Sequence, residues 1–151
     1  MSSPDTERFV RNWNRIHKET SRVIRSAPDD KLEWRPKEGM FTLRELIGHM
    51  PQAELVLARS ALAGSTQKIR FDFSNRAANE IADMFDSQHD QLLGEVSELT
   101  ADQLAQEVEF HGKRMRRSVL LWGMTEHEIH HRGQLYTYYR LAGIEAPNLH
   151  E

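Results

Sequence analysis

Apolar residues recur at spacings of three and four along four long segments, and this periodicity is the feature that most limits the possible folds. Such spacing places side chains on one face of an α-helix, whereas a strand needs a spacing of two. We expect helices at residues 4–26, at 43–63, over the stripe from Ala77 to Leu99, and at 118–142. The sequence therefore predicts an all-α four-helix bundle formed by a single domain over residues 1–151.

Local signals mark the ends of these helices. Ser3 before Pro4 predicts the first start, and Thr42 with Glu45 forms a T-x-x-E capping box at the second. Pro51 lacks the N–H that a helix interior needs, so we expect a kink or a short break there. The segment "VEFHGKRMRR" does not fit the helical pattern and predicts a small hairpin or an irregular loop. The connection between the third and fourth helices is therefore expected to be an irregular crossover.

Composition narrows the class of protein. Acidic residues (23) outnumber basic ones (20), which argues against nucleic-acid binding. No apolar run is long enough to cross a membrane and the N-terminus has no signal-peptide pattern, so we expect no membrane partner and a cytoplasmic location. The chain has no cysteine, which excludes disulfides, zinc–thiolate sites and a protein thiol nucleophile. Any thiol chemistry must use a thiol from another molecule.

The segment "MTEHEIHHRGQLYTYYRLAG" places histidines within the last predicted helix. His127 and His131 lie roughly 40° apart on one helical face, and Leu120 and Tyr138 continue the same line. These neighbours indicate that the face points inward. Two imidazoles one turn apart can chelate a divalent ion if a third ligand comes from another helix.

The same residues match the H-E-x-x-H pattern of metalloproteases, in which Glu128 would be the general base. The rest of the protease pattern is missing. Gln134 and Thr137 stand where the extended motif has glycine and histidine, and the tail offers only two glutamates as ligands. We therefore favour another kind of metal site.

The residues alone leave the third ligand open. The remaining histidines, apart from the neighbouring His130, are His17, His49, His89, His111 and His150. His49 lies near Leu46 and Met50 on the second predicted helix, so its side chain can reach the interior.

The segment "HEIHHRGQLYTYYRLAGIEAP", together with "LEWRP" and "FTLRELIGHM", resembles the DinB/YfiT-like superfamily of bacterial metalloproteins. The resemblance covers nearly the whole chain. It implies a DinB-like four-helix bundle, a homodimer packed through helices, and a metal site formed by His49, His127 and His131. Pro51, two residues after the first implied ligand, departs from the family pattern.

Three neutral imidazoles leave a divalent ion its full charge and an open position, the arrangement of catalytic metal centres. We expect zinc or nickel, and iron also suits these ligands. Gln134 and Tyr138 are predicted to hydrogen-bond a metal-bound water or the substrate, and Glu128 or Tyr138 to carry protons. His130 is expected beside the site as a non-ligand, and Arg132 at the surface or an interface.

The resemblance implies three classes of function: transfer of a low-molecular-weight thiol, as in bacillithiol S-transferases and mycothiol-dependent isomerases, metal-dependent hydrolysis, and stress-associated binding without turnover. An open divalent site can activate either a thiol or a water molecule. Glu128 lies about 80° from the ligand line on an ideal helix, so no general base is well placed for hydrolysis. We therefore favour a thiol S-transferase acting on small electrophilic substrates with a thiol cosubstrate.

Overall fold

The computed structural model describes residues 2–149, and in that range four long helices form the predicted bundle. A short fifth helix and a two-stranded hairpin lie between the third and last long helices. The elements are α1 Pro4–Arg25, α2 Leu43–Ala63, α3 Ala78–Ser97, α4 Ala101–Ala105, β1 Glu107–Phe110, β2 Lys113–Arg116 and α5 Arg117–Ala142, with a 3-10 turn at Asp29–Lys31.

Apolar side chains from the four long helices form two separate clusters along the bundle. The first is built around Ile47, Phe85 and Tyr139, and the second around Trp13 and Leu92. Along each helix the residues between these clusters include buried polar ones: His17, Thr20, Glu54, His89 and Glu128. The bundle therefore contains a polar layer between two apolar layers. Helix α2 packs mainly on α5, and α1 on α3.

The helix starts follow the predicted signals. Thr6 N donates to Ser3 Oγ at 3.1 Å before Pro4. In the capping box, Glu45 N donates to Thr42 Oγ1 and Thr42 N donates to the Glu45 carboxylate, at 3.1 and 3.0 Å. Each bond satisfies a backbone N–H that has no partner within the helix.

Helix α2 continues without a break through Pro51, so the expected short break is absent. Pro51 is buried, and its carbonyl accepts a hydrogen bond from Gln88 Nε2 of α3 at 3.0 Å. The helix is therefore continuous and packed against α3 at the position where the proline removes one backbone hydrogen bond.

The crossover between α3 and α5 is ordered. The strands β1 and β2 pair antiparallel, with Glu107 opposite Arg116 and Phe110 opposite Lys113. Their turn residues His111 and Gly112 have φ of 50° and 80°, the left-handed pair that a two-residue hairpin turn requires. Of the two expected structures for this segment, a small hairpin or an irregular loop, the structure has the hairpin.

The segment from residue 65 to 77 has no regular structure and lies against α2. The Gln52 side chain holds it by donating to the Ile69 carbonyl at 2.7 Å and accepting from Phe71 N at 2.5 Å. The ring of Phe73 rests on Gly48, and a Cβ at that glycine would overlap the ring. Gly48 therefore allows this segment to reach the backbone next to His49.

Across residues 2–149, none of the helices combines the length and the apolar character that a transmembrane span requires.

Candidate metal centre

The structure brings the three predicted ligands together at the contact between α2 and α5. His131 Nε2 lies 3.1 Å from His49 Nε2 and 3.0 Å from His127 Nε2. The three imidazoles, here called the three-histidine cluster, are half-buried, so they border both the bundle interior and solvent. His127 and His131 meet because they are one turn apart on α5, and the close packing of α2 supplies His49.

Gln134 fixes the tautomer of His131. Its Oε1 lies 2.7 Å from His131 Nδ1, and an amide oxygen only accepts, so Nδ1 carries the proton and Nε2 presents a lone pair. The Gln134 Nε2 group lies 3.4 Å from His130 Nε2, which agrees with this orientation of the amide. An outer hydrogen bond of this type orients metal-ligating histidines in general.

The surroundings favour neutral imidazoles. Burial, followed by repulsion from His131, His49 and His130, lowers the pKa of His127 to about 4. Burial, followed by repulsion from His131, lowers the pKa of His49 below its ordinary value. Neutral imidazole is the form that binds a metal, so these histidines need not lose a proton at neutral pH.

The donor set fits a divalent transition metal ion. Two nitrogens bound to one ion at about 2.0–2.1 Å and a tetrahedral angle lie about 3.3 Å apart, close to the 3.1 and 3.0 Å from His131 Nε2 to the Nε2 atoms of His49 and His127. His131 Nε2 presents its lone pair toward the Nε2 atoms of His49 and His127, and a cation placed among these nitrogens can be bound by all three. His49, His127 and His131 can therefore hold zinc, nickel or iron through nitrogen alone.

Tyr138 lies beside the cluster, but its hydroxyl is engaged with the backbone. It donates to the Phe41 carbonyl at 3.0 Å, and the Tyr138 ring meets the Trp34 ring edge to face at 5.8 Å. The ring of Phe41 in turn lies 5.5 Å from that of His49. Tyr138 thus links α5 to the segment before α2, and a hydrogen bond from its hydroxyl to a metal-bound water or the substrate stays a prediction.

Glu128 is turned away from the cluster. It is only 3% exposed, and its Oε2 accepts from Thr20 Oγ1 of α1 at 2.8 Å. Burial and then the charge of Glu54 raise its pKa to about 8, against the opposing effects of Thr20 and Arg132. Glu128 lies to one side of the line of His127 and His131, as the helix angle predicts. Its burial against α1 was not predicted.

Arg132, which was expected at the surface or an interface, is partly buried against α1. Its side chain is 13% exposed and its Nη1 lies 3.2 Å from Glu19 Oε2. The same Nη1 donates to the Ile16 carbonyl at 3.2 Å and to Thr20 Oγ1 at 3.3 Å. Arg132 therefore links α5 to α1. His130 is exposed beside His131, as expected of a non-ligand.

Three buried polar residues were not predicted as a group: His17, Glu54 and His89, here called the inner cluster. The sequence signal that could have revealed them is a single polar residue within the apolar, inward-facing stripe of a helix. Glu54 follows Ile47 and Met50 at helical spacing, and His89 lies between Phe85 and Leu92 on α3. Of the other candidate ligands, His111 is in the exposed hairpin turn and His150 lies outside the described residues.

Comparison with known proteins agrees with this architecture. The model of the DinB family matches residues 1–151. The protein YrdA of Bacillus subtilis strain 168 is 23% identical over 146 residues, covering 95% of this chain and 87% of its own. A DinB-like protein from Bacillus cereus superposes with a TM-score of 0.82 at 25% identity, covering 94% of this chain and 95% of its own. A DinB-like protein from Bacillus subtilis superposes with a TM-score of 0.77 at 23% identity, covering 94% of this chain and 96% of its own.

Proposed function

The chain belongs to the DinB family, and from this premise we propose that it is a divalent-metal-dependent enzyme that transfers a low-molecular-weight thiol to a small electrophilic substrate. The observation that carries the proposal is the convergence of three Nε2 atoms, 3.0 and 3.1 Å apart, in a half-buried position. When bound there, a divalent ion with three neutral ligands keeps its full charge and an open position, which favours deprotonation of a coordinating thiol or water.

The residues around the cluster have distinct tasks in this proposal. Gln134 holds His131 in the ligating tautomer through the 2.7 Å bond to Nδ1. Phe41, which is 42% exposed, places apolar surface next to His49, and the preceding residue Met40 is equally exposed. This surface suits the carbon skeleton of a small organic electrophile.

The arrangement of acidic groups favours a thiol over water as the nucleophile. Hydrolysis needs a general base near the reacting water, whereas a thiolate attacks without one. Within residues 2–149, none of the three imidazoles forms a hydrogen bond or ion pair with a carboxylate, and Glu128 points toward Thr20 of α1. Since the chain has no cysteine, the thiol must be a cosubstrate such as bacillithiol, mycothiol or glutathione.

Metal analysis is the first test. The native protein and the His130→Ala variant are expected to retain a divalent metal, whereas His127→Ala loses it from the three-histidine cluster without unfolding. Circular dichroism checks the fold of each variant. Equal metal content in all three proteins would remove the assignment of His127 as a ligand.

The second test separates the reactions. Bacillithiol, mycothiol or glutathione is mixed with a small electrophile, and the rate at which the thiol is consumed is measured with the native protein and with His49→Ala. Faster consumption with the native protein supports transfer. Cleavage of an ester or amide without thiol consumption identifies a hydrolase instead, and the absence of both reactions indicates a binding protein.

A further inference from the structure

The inner cluster joins three different helices at the centre of the bundle. His17 comes from α1, Glu54 from α2 and His89 from α3, and these residues are 4%, 2% and 0% exposed. One potential ligand atom from each lies within 4.8 Å of the others. The cluster shares no residue with the three-histidine cluster. Two imidazoles and a carboxylate buried together require partners, because unpaired polar groups are costly in a core.

His17 presents a buried lone pair with no partner. Its Nε2 lies 2.8 Å from Asp86 Oδ1, and Asp86 is also paired with Arg25 at 2.8 Å, so this carboxylate accepts and Nε2 carries the proton. A neutral His17 therefore has its lone pair on Nδ1. That atom is buried and has no hydrogen-bond partner among the described residues.

His89 faces the same space. Its Nε2 lies 3.2 Å from Asn14 Oδ1 and its Nδ1 lies 3.1 Å from Glu54 Oε2. With the amide oxygen of Asn14 accepting from Nε2, the lone pair of Nδ1 faces a carboxylate oxygen. The other oxygen of Glu54 accepts from Gln88 Nε2 at 3.0 Å. Each of the three groups is thus held from outside by a hydrogen bond, as metal ligands usually are.

Three electron-pair donors lie close together in a dry core, and a positive charge shared among them would satisfy all three. A second proton on His89 would satisfy its Nδ1 and Glu54 but would leave His17 Nδ1 unpaired. A metal cation can engage all three groups. Ligands from facing helices are also the usual way in which four-helix bundles build internal metal sites.

We propose that His17, Glu54 and His89 form a second, internal binding site for a divalent transition metal ion. Two imidazoles and one carboxylate suit zinc or iron(II) rather than calcium or magnesium, which prefer oxygen ligands.

Binding of a metal ion must change the arrangement of the two imidazole rings. The imidazoles of His17 and His89 are stacked, with centroids 3.7 Å apart and planes 2° from parallel. Lone pairs lie in the ring planes, so those of stacked rings run parallel and do not converge. One ring must tilt to share an ion, and metal binding therefore ends the stacking. Because the site is closed to solvent, we expect it to fill during folding rather than by diffusion into the folded protein.

Zinc is the probe, and the variant His127→Ala/His131→Ala removes two ligands of the three-histidine cluster while leaving the inner cluster unchanged. This variant is unfolded, refolded with zinc, freed of loose metal by desalting, and analysed for zinc. We expect about one ion per chain, held against a chelator that strips surface-bound zinc. A folded variant that contains no zinc overturns the proposal.

The position of the ion is then read from a crystal structure of the same variant at the zinc absorption edge. An anomalous peak between His17, Glu54 and His89, with the two rings no longer stacked, supports the proposal. A peak elsewhere, or density at that point without anomalous signal, as a water molecule gives, overturns it. This experiment needs no variant of the inner cluster, so it does not depend on whether a protein without His17, Glu54 or His89 folds.

Discussion

At the scale of single residues, Gln134 makes an outer contact on which the three-histidine cluster depends. Replacing it with alanine removes the acceptor of His131 Nδ1–H, so the ring can rotate or change tautomer. We expect Gln134→Ala to lower metal affinity by about 10- to 100-fold with the helix content unchanged. Competition with a chromophoric chelator measures the affinity. Thr137→Ala, an exposed neighbour on α5, is the control, and an equal affinity in both variants would contradict the role of Gln134.

Tyr138 allows a separate test, because its hydroxyl is bonded to the Phe41 carbonyl. Tyr138→Phe removes one hydrogen bond and is expected to lower the free energy of unfolding by about 1 kcal/mol, with the metal retained. Tyr139→Phe is matched to it, since the neighbouring hydroxyl donates to the Val23 carbonyl in the core. Urea unfolding and turnover are measured for both. If only Tyr138→Phe loses turnover, its hydroxyl acts in the reaction as the sequence predicted; equal turnover assigns it to structure.

At the scale of the elements, the approach of Phe73 to α2 depends on Gly48. In Gly48→Ala the new methyl group overlaps the Phe73 ring, so the segment 65–77 must move. Overpacking of this kind is expected to cost about 1–3 kcal/mol of stability. Thermal unfolding gives the size of the effect. In the Phe73→Ala background the same glycine replacement should cost much less, and an equal cost in both backgrounds would show that the ring is not the obstacle.

The carboxylate of Glu109 is one of the groups that attach the hairpin to the residues after α2, and this predicts a dependence on pH. Glu109 accepts from the backbone N–H groups of Gly112 and Thr66, at 2.7 and 3.2 Å, and these bonds lower its pKa. Because the pKa of Glu109 is lower in the folded state, the ionised carboxylate stabilises the fold fully above its ordinary pKa near 4.5. This stabilisation is lost as the pH falls through the pKa of the folded state.

Hydrogen exchange of the β1 and β2 amides, measured between about pH 3 and pH 6 and corrected for intrinsic rates, should therefore show falling protection toward acid. In Glu109→Gln protection is expected to be lower throughout and nearly independent of pH. The same acid dependence in the variant would assign it to another group.

At the scale of the whole molecule, one face of α5 remains available for a second copy of the chain. Val119 and Ile129 are 55% and 44% exposed, and with Trp122, Glu126 and Gly133 they form a stripe at spacings of three and four. The groove beside the first part of this stripe measures about 580 Å³. Such a stripe is typical of helix-to-helix association.

We predict a homodimer packed through this face. In a two-fold interface each residue of the stripe lies close to the partner's copy of the stripe, so Ile129→Lys places like charges in the contact and is expected to give monomers. Leu141→Lys, at an exposed position off the stripe, should leave the dimer intact. Light scattering at tens of micromolar, an order-of-magnitude concentration for weak association, measures the mass. A native monomer under these conditions would contradict the prediction.

The bundle could be predicted because each long helix repeats its apolar pattern over many turns, and a pattern such as Phe9, Trp13 and Ile16 depends only on local spacing. The approach of His127 to His131 is local in the same way. What spacing cannot give is the identity of the neighbouring helix. Glu128 was placed correctly to one side of its helix, yet its partner Thr20 is 108 positions earlier in the chain.

The inner cluster was missed for a related reason. His17, Glu54 and His89 each occur singly among apolar residues, and one polar residue on an inward stripe does not reveal that two others face it. Only the packing of α1, α2 and α3 brings them within 4.8 Å.

His49 and His131 are 82 positions apart, although their Nε2 atoms are separated by 3.1 Å. Bringing two such distant points together costs chain entropy that increases with the logarithm of the intervening length. An ion contributes only after α2 and α5 have met, which places its effect late in folding. Stabilising contacts that form after the transition state slow unfolding and leave the folding rate unchanged. In a chain without cysteine, we therefore expect an ion bound at this cluster to lengthen the lifetime of the native state rather than to speed its formation.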